Sequence, residues 1–279
     1  MDFYAGNIPI LDPAAPEGRD ALYAHPGATF GCVPRDFSED PPPLMGEAPG
    51  SLAGIDPSEW DARYDEQQTN ESSLEHLFLR GGQPAFVNLD QNGNGYCWAY
   101  STGQALMLSR LRDNLPLVRL NPHATAAIIK GGRDEGGWCG LSAKWARENG
   151  YAVEGTGAGE WPLHSRDLRR DTPALRAAMA LHKSTEDWYD LGRREYDQKL
   201  TSRQLAACGF NNIPAPSDFN WWSHSVCQVR WVRIEAGSWG PLILNSWLGW
   251  GRSGLAVLRG SQATADNAVG IRTTTPSAT

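Results

Sequence analysis

Five cysteines occur in the 279-residue chain: Cys32, Cys97, Cys139, Cys208 and Cys227. One of them, Cys97, stands where a thiol can become a nucleophile. A cysteine is mostly protonated at neutral pH, and only its thiolate attacks carbon. Two devices favour the thiolate: the unpaired N–H groups and dipole of a helix N-terminus, and a nearby histidine that takes the proton. Cys97 follows the glycine-rich run 88–95 and opens the stretch CWAYSTGQALMLSRLRDN. Small or apolar residues recur there at Ala99, Thr102, Ala105, Leu106, Leu108 and Leu111, which predicts a helix buried on one face or more. Taken alone, a cysteine at a helix start is more often a packing residue, so its neighbours decide.

The elements around it read as two kinds of chain. A short helix is expected over 72–80, stopped at Gly81-Gly82. Asn121-Pro122 starts another, with proline at the first helical position and Gly131-Gly132 as its stop. A third covers 141–149, with Gly150 as its cap. Residues 165–205 are charged and helix-prone. After Phe210 the style changes: 225–234, 241–245 and 255–258 alternate like strands. Helices first and strands later predict an α+β chain built as two lobes. Residues 1–56 stand apart, with Pro13, Pro16, Pro34 and Pro41-Pro42-Pro43 among acidic residues and glycines. They read as a Pro-rich irregular extension, either a loose tail or an arm wrapping the surface.

The run Gln91-Asn-Gly-Asn-Gly-Tyr-Cys97-Trp98-Ala-Tyr-Ser101 resembles the active-site motif of papain and the cathepsins. Gln91 lies six residues before the cysteine, where that family keeps the glutamine of its oxyanion hole. Ser223-His224-Ser225-Val226 resembles the family's catalytic histidine segment, 127 residues after Cys97. Asn245-Ser246-Trp247, followed by Gly249-Trp250-Gly251, resembles its Asn-Ser-Trp-Gly segment. Gly136-Gly137-Trp138 resembles the run that lines the substrate cleft. Four segments in family order span roughly residues 57–260.

The resemblance implies a papain-like two-lobe fold of divergent bacterial or viral type. The helical lobe, about 90–165, would carry the Cys97 helix. An antiparallel, barrel-like strand lobe, about 206–279, would carry His224 and Asn245, both within a 57–279 peptidase domain. It implies Cys97 as nucleophile, His224 as base and later acid, Asn245 as the group orienting His224, and Gln91 as oxyanion donor. Gly136, Gly137 and Trp138 would bind a peptide or protein substrate, with Trp98 and Trp247 in support. The reaction implied is hydrolysis of peptide bonds through a thioester, with acyl transfer or a silent binding scaffold as alternatives. The sequence also departs from the family. Asn94 stands where the family keeps a disulfide-forming cysteine, the loop after Trp247 is one residue short, and residues 1–56 do not resemble a helical inhibitory propeptide. That extension is expected to wrap the domain or bind a protein partner.

Bulk properties limit the partners. The 25 basic and 32 acidic residues give a net charge of −7, the wrong sign for a nucleic-acid surface. No stretch of about 18 apolar residues predicts a membrane span. The cysteines form no Cys-x-x-Cys pair, so no zinc site is expected, and the resemblance implies no metal and no cofactor. An odd cysteine count without a signal-like start predicts reduced thiols and a cytoplasmic, or virion-associated, setting.

Overall fold

The computed structural model describes residues 2–26, 28–36, 38, 52–184, 188–191 and 202–271. Chain order runs β1 (Asp2–Tyr4), β2 (Ile8–Leu11), α1 (Pro16–Tyr23), α2 (Trp60–Thr69), α3 (Leu74–Phe78), α4 (Cys97–Arg112), α5 (Pro122–Ile129) and α6 (Cys139–Glu148). There follow β3 (Val153–Glu154), β4 (Glu160–Trp161), α7 (Pro173–Met179), β5 (Trp188–Asp190), α8 (Ser202–Phe210), β6 (Ala215–Phe219), β7 (His224–Glu235), β8 (Ser238–Leu244), β9 (Leu255–Leu258) and β10 (Asn267–Ile271).

Helix α4 is the centre of the molecule. Every residue from Cys97 to Arg110 is buried. Its many small residues allow neighbours to approach from all sides: a Cβ on Gly103 would strike the Pro122 ring at the start of α5. The helix lies against β6 and β7 on one side and against α5 and α6 on another.

The sheet has eight strands in the order β1-β2-β9-β8-β7-β6-β10-β5 and is mostly antiparallel. Strand β7 is its longest, with nine successive buried residues from His224 to Val232. Burial on both faces forces the one charge of that run, Arg230, to find partners inside. The guanidinium donates to Glu75 at 2.8 Å and to Gln67 at 3.1 Å, as a buried charge must. Tyr4 donates to the same Glu75 at 3.2 Å, which ties the N-terminus to the core.

Residues 1–56 are not irregular throughout, and here the sequence reading is corrected. Strands β1 and β2 pair antiparallel, and β2 extends the sheet by running parallel to β9, Ile10 beside Val257. Tyr4, Ile8, Ile10 and Leu11 are buried. The prolines hid these elements: Pro9 sits in a four-residue strand, and Pro16 is the first residue of α1, where proline is well suited. The Pro41-Pro42-Pro43 run, and residues 192–201 of the charged stretch, lie outside the described residues. No helix among the described residues is long and apolar enough to cross a membrane.

Candidate functional site

Cys97 is the first residue of α4 and fully buried. Its sulfur accepts hydrogen bonds from the backbone N–H groups of Trp98, Ser225 and Gly31. Trp98 belongs to its own helix and Ser225 to β7, so helix and strand meet at the sulfur. The third donor, Gly31, comes from the N-terminal extension.

His224 opens β7. Its Nε2–H donates to Asn245 Oδ1 at 2.8 Å, and that oxygen also accepts from Ser246 N–H at 2.7 Å. Asn245 is held firmly at the end of β8: its carbonyl accepts from the Asn88 and Gln104 side chains. Trp247 and Trp222 cover the imidazole, with ring centroids at 4.5 and 4.7 Å. The His224 Nδ1 atom is buried with no protein hydrogen-bond partner. The ring thus has one nitrogen fixed on Asn245 and one without a hydrogen-bond partner among the described residues. Trp222 packs on the histidine.

Gln91 is buried in the loop before α4. Its Oε1 accepts from Ser246 Oγ at 2.7 Å, so the Asn245-Ser246 turn also fixes the glutamine. Its Nε2 donates to Asn94 O at 2.9 Å and to Thr29 O at 2.8 Å. Asn94 in turn donates to Gln91 O and Asn92 O, so hydrogen bonds close this loop. None of the five cysteines is disulfide-bonded.

Thr29 and Gly31 belong to one strand-like stretch that runs through the site. Gly31 O accepts from Gly137 N–H at 2.9 Å, Gly137 O accepts from Val33 N–H at 2.9 Å, and Ser223 O accepts from Cys32 N–H at 2.9 Å. Cys32 and Gly137 thereby form a parallel bridge. Phe30 stands edge-on to His224 and Trp247, and His25 stacks on Trp247. The glycines make this approach possible. A Cβ on Gly136 would meet Gly31 O at 2.6 Å, and one on Gly137 would meet the Trp98 ring at 2.8 Å. Trp138 is also covered, with the Arg35 guanidinium 4.2 Å above its ring.

Enclosure sets the electrostatics. Burial pushes the Cys97 thiol up to about 12 and His224 down to about 4; in each case the dry surroundings disfavour the charged form. The covered site therefore holds a neutral thiol and a neutral imidazole. Asp218, fully buried on β6, is raised to about 6 by the same cause.

All nine residues singled out from the sequence meet here: Cys97, His224, Asn245, Gln91, Gly136, Gly137, Trp138, Trp98 and Trp247. Sequence reasoning expected residues 1–56 to wrap the domain or bind a partner but did not place 28–35 in the cleft, and it missed Asp218. Nothing local in 28–35 signals its place, because it is held by backbone groups of remote residues. The described residues contain no group of three or more His, Cys, Asp or Glu that could hold a metal ion.

No protein-family model matches the chain, and no curated protein matches it in sequence. Solved structures do match in three dimensions. The chain is similar to xylellain, a cysteine protease from Xylella fastidiosa, at 16% identity and a TM-score of 0.56 over 89% of this chain and 97% of that one. It is also similar to procathepsin B S9 from Trypanosoma congolense, at 14% identity and a TM-score of 0.52 over 90% and 88% of the two chains. The chain thus has the papain-like fold, and at these identities the likeness is one of fold.

Proposed function

We propose that this chain is a papain-like cysteine peptidase whose cleft is closed by its own residues 28–35. One observation carries the reading. The His224 Nε2–H to Asn245 Oδ1 bond, roofed by Trp247, leaves Nδ1 unbonded, while the N–H of the next residue, Ser225, meets the Cys97 sulfur. Cys97 attacks a substrate carbonyl carbon as its proton passes to His224. The carbonyl oxygen gains charge against the Gln91 side-chain amide, a donor type worth roughly 3–4 kcal/mol. His224 then protonates the leaving amine, and water hydrolyses the thioester with His224 as base. Asn245 keeps the imidazole in the tautomer and plane that this exchange needs.

The closing stretch supports the reading because it uses groups a substrate would use. Thr29 already gives its carbonyl oxygen to Gln91, and Gly31 and Val33 pair with Gly137. It escapes attack because Gly31 offers the sulfur an N–H group, a donor and not an electrophile. Reaction requires the stretch to leave, and leaving readmits the water and counter-charge that let a thiolate form.

Covalent labelling by a thiol-directed epoxide, combined with hydrolysis of a peptide library, tests the proposal. Labelling confined to Cys97, and cleavage lost in Cys97→Ala, are expected. Cleavage retained in Cys97→Ala sinks the reading. Transfer of the acyl group to an added amine in place of water redirects it to acyl transfer.

A further inference from the structure

We propose that Asp218 determines specificity: the pocket it floors selects, opposite Gly137, a short side chain that donates a hydrogen bond, namely serine, threonine or cysteine. This rests on the peptidase reading above and adds a substrate class to it.

The occupant of that pocket is known. Cys32 pairs with Gly137, and its thiol is hydrogen-bonded to the Asp218 carboxyl group. Asp218 is completely buried. It accepts from Cys139 N–H at 3.0 Å through Oδ2, and the Ser225 and Cys32 side chains face it. All these donors are short and neutral. A carboxyl group so enclosed needs them, since an acceptor buried without a partner is costly. When Cys32 leaves, one donor is lost, and an entering side chain must replace it.

Reach sets the length. A single Cβ–Sγ bond spans from the backbone of Cys32 to the carboxyl group. A hydroxyl or thiol on Cβ matches that span. Leucine would set methyl groups against the carboxyl oxygen and leave it without a donor, and lysine or arginine is longer than that one-bond span. Direction does not alter the conclusion. A residue paired with Gly137 in either sense projects its side chain to the same side of the strand pair.

Two measurements on the full-length chain decide. The first reads closure without turnover, as the rate at which iodoacetamide alkylates Cys97, followed by peptide mapping. Cys32→Ser keeps the wild-type rate, whereas Cys32→Ala and Cys32→Leu raise it about tenfold or more. Serine, alanine and leucine giving one common rate would overturn the proposal. The second uses a chain opened by Gly31→Ala on a peptide library, with cut sites read by mass spectrometry. One position is expected to favour Ser, Thr and Cys about tenfold or more over Leu and Lys, with the preference lost in Asp218→Asn. Leucine or lysine favoured there, or a preference unmoved by Asp218→Asn, refutes the pocket while leaving the peptidase reading intact. No cleavage of any peptide, with the Cys32 series still obeying the donor rule, refutes the peptidase reading and supports the pocket.

Discussion

Gly31→Ala isolates the closing contact. A Cβ at Gly31 would come closer than 3.0 Å to the Gly95 carbonyl oxygen, and a backbone oxygen in the loop before α4 has little room to yield. Overpacking of this kind costs about 1–3 kcal/mol. The stretch is held by four named hydrogen bonds: Gln91 to Thr29, Gly137 to Gly31, Val33 to Gly137, and Cys32 to Ser223. At about 0.5–1.5 kcal/mol net for each, closure is worth roughly 2–6 kcal/mol, and the open form is a minor state. The clash falls on the closed form alone, so the open population rises about 5- to 150-fold. Cys97 alkylation by iodoacetamide reads that population directly when opening and closing outpace the reagent. The rate should rise by that factor while the thermal midpoint of the body moves little. A rate within about twofold of wild type would refute the reasoning, because a stretch that tolerates a methyl group there does not bear on Cys97 as described.

In the opened chain, Gln91→Ala lowers kcat by about 10²–10³ yet raises Cys97 alkylation in the full-length closed chain, because the same amide holds Thr29; both falling together would contradict its double use. His224→Ala costs about a hundredfold or more in kcat, measured by peptide hydrolysis after opening. Arg230→Ala strands Glu75 in the core and lowers stability by about 3–5 kcal/mol in a urea melt; a loss under about 1 kcal/mol would mean that Glu75 finds water. Acid should weaken the fold between pH 6.5 and 4. Burial lowers His224 and His182 to about 4 and His123 to about 3, so each contributes its full share above 6.5 and loses roughly 3 kcal/mol of it by pH 4. Asp218 acts oppositely: raised to about 6, it regains a similar amount as pH falls through 6. One histidine is thus cancelled and the other two set the slope, which circular dichroism melts across that range would read.

The site was legible because its residues announce themselves locally. Cys97 follows a glycine-rich loop and begins a helix of small residues, and Asn245-Ser246-Trp247 and Ser223-His224 carry their own motifs. Helices α4, α5 and α6 were legible from caps and stops at Asn121, Pro122, Gly131 and Gly150. Other elements were not. Strand β6 carries a proline and an aspartate, Pro216 and Asp218, with Pro214 just before it, and nothing in that run predicts a strand. It exists because Ser217 and Asp218 pair with β7 and β10 across remote registers. Strands β1 and β2 failed for a similar reason, since their place in the sheet depends on β9, some 250 residues away.

Residues 28–35 show the deeper limit. Besides the Cys32 thiol and the Phe30 and Arg35 contacts, what holds them is the N–H and C=O groups of Gly31, Cys32 and Val33 and the carbonyl of Thr29, and every residue carries those groups. A sequence reports side chains, so a backbone-held occupant leaves no motif. Its presence follows instead from what the cleft must offer any peptide: an amide for a carbonyl oxygen at Gln91, a strand edge at Gly137, and a carboxyl group at Asp218. Closure and recognition therefore share one set of donors and acceptors. A substitution at Gln91 or Asp218 that loosens the chain's own stretch also weakens the hold on a substrate, whereas one at Gly31 or Cys32 changes closure alone. That asymmetry distinguishes a peptidase closed by its own chain from a scaffold in which residues 28–35 are simply part of the core. In the scaffold, Gly31→Ala and Cys32→Leu would lower the stability of the whole fold; in the peptidase, they expose Cys97 and leave the fold standing.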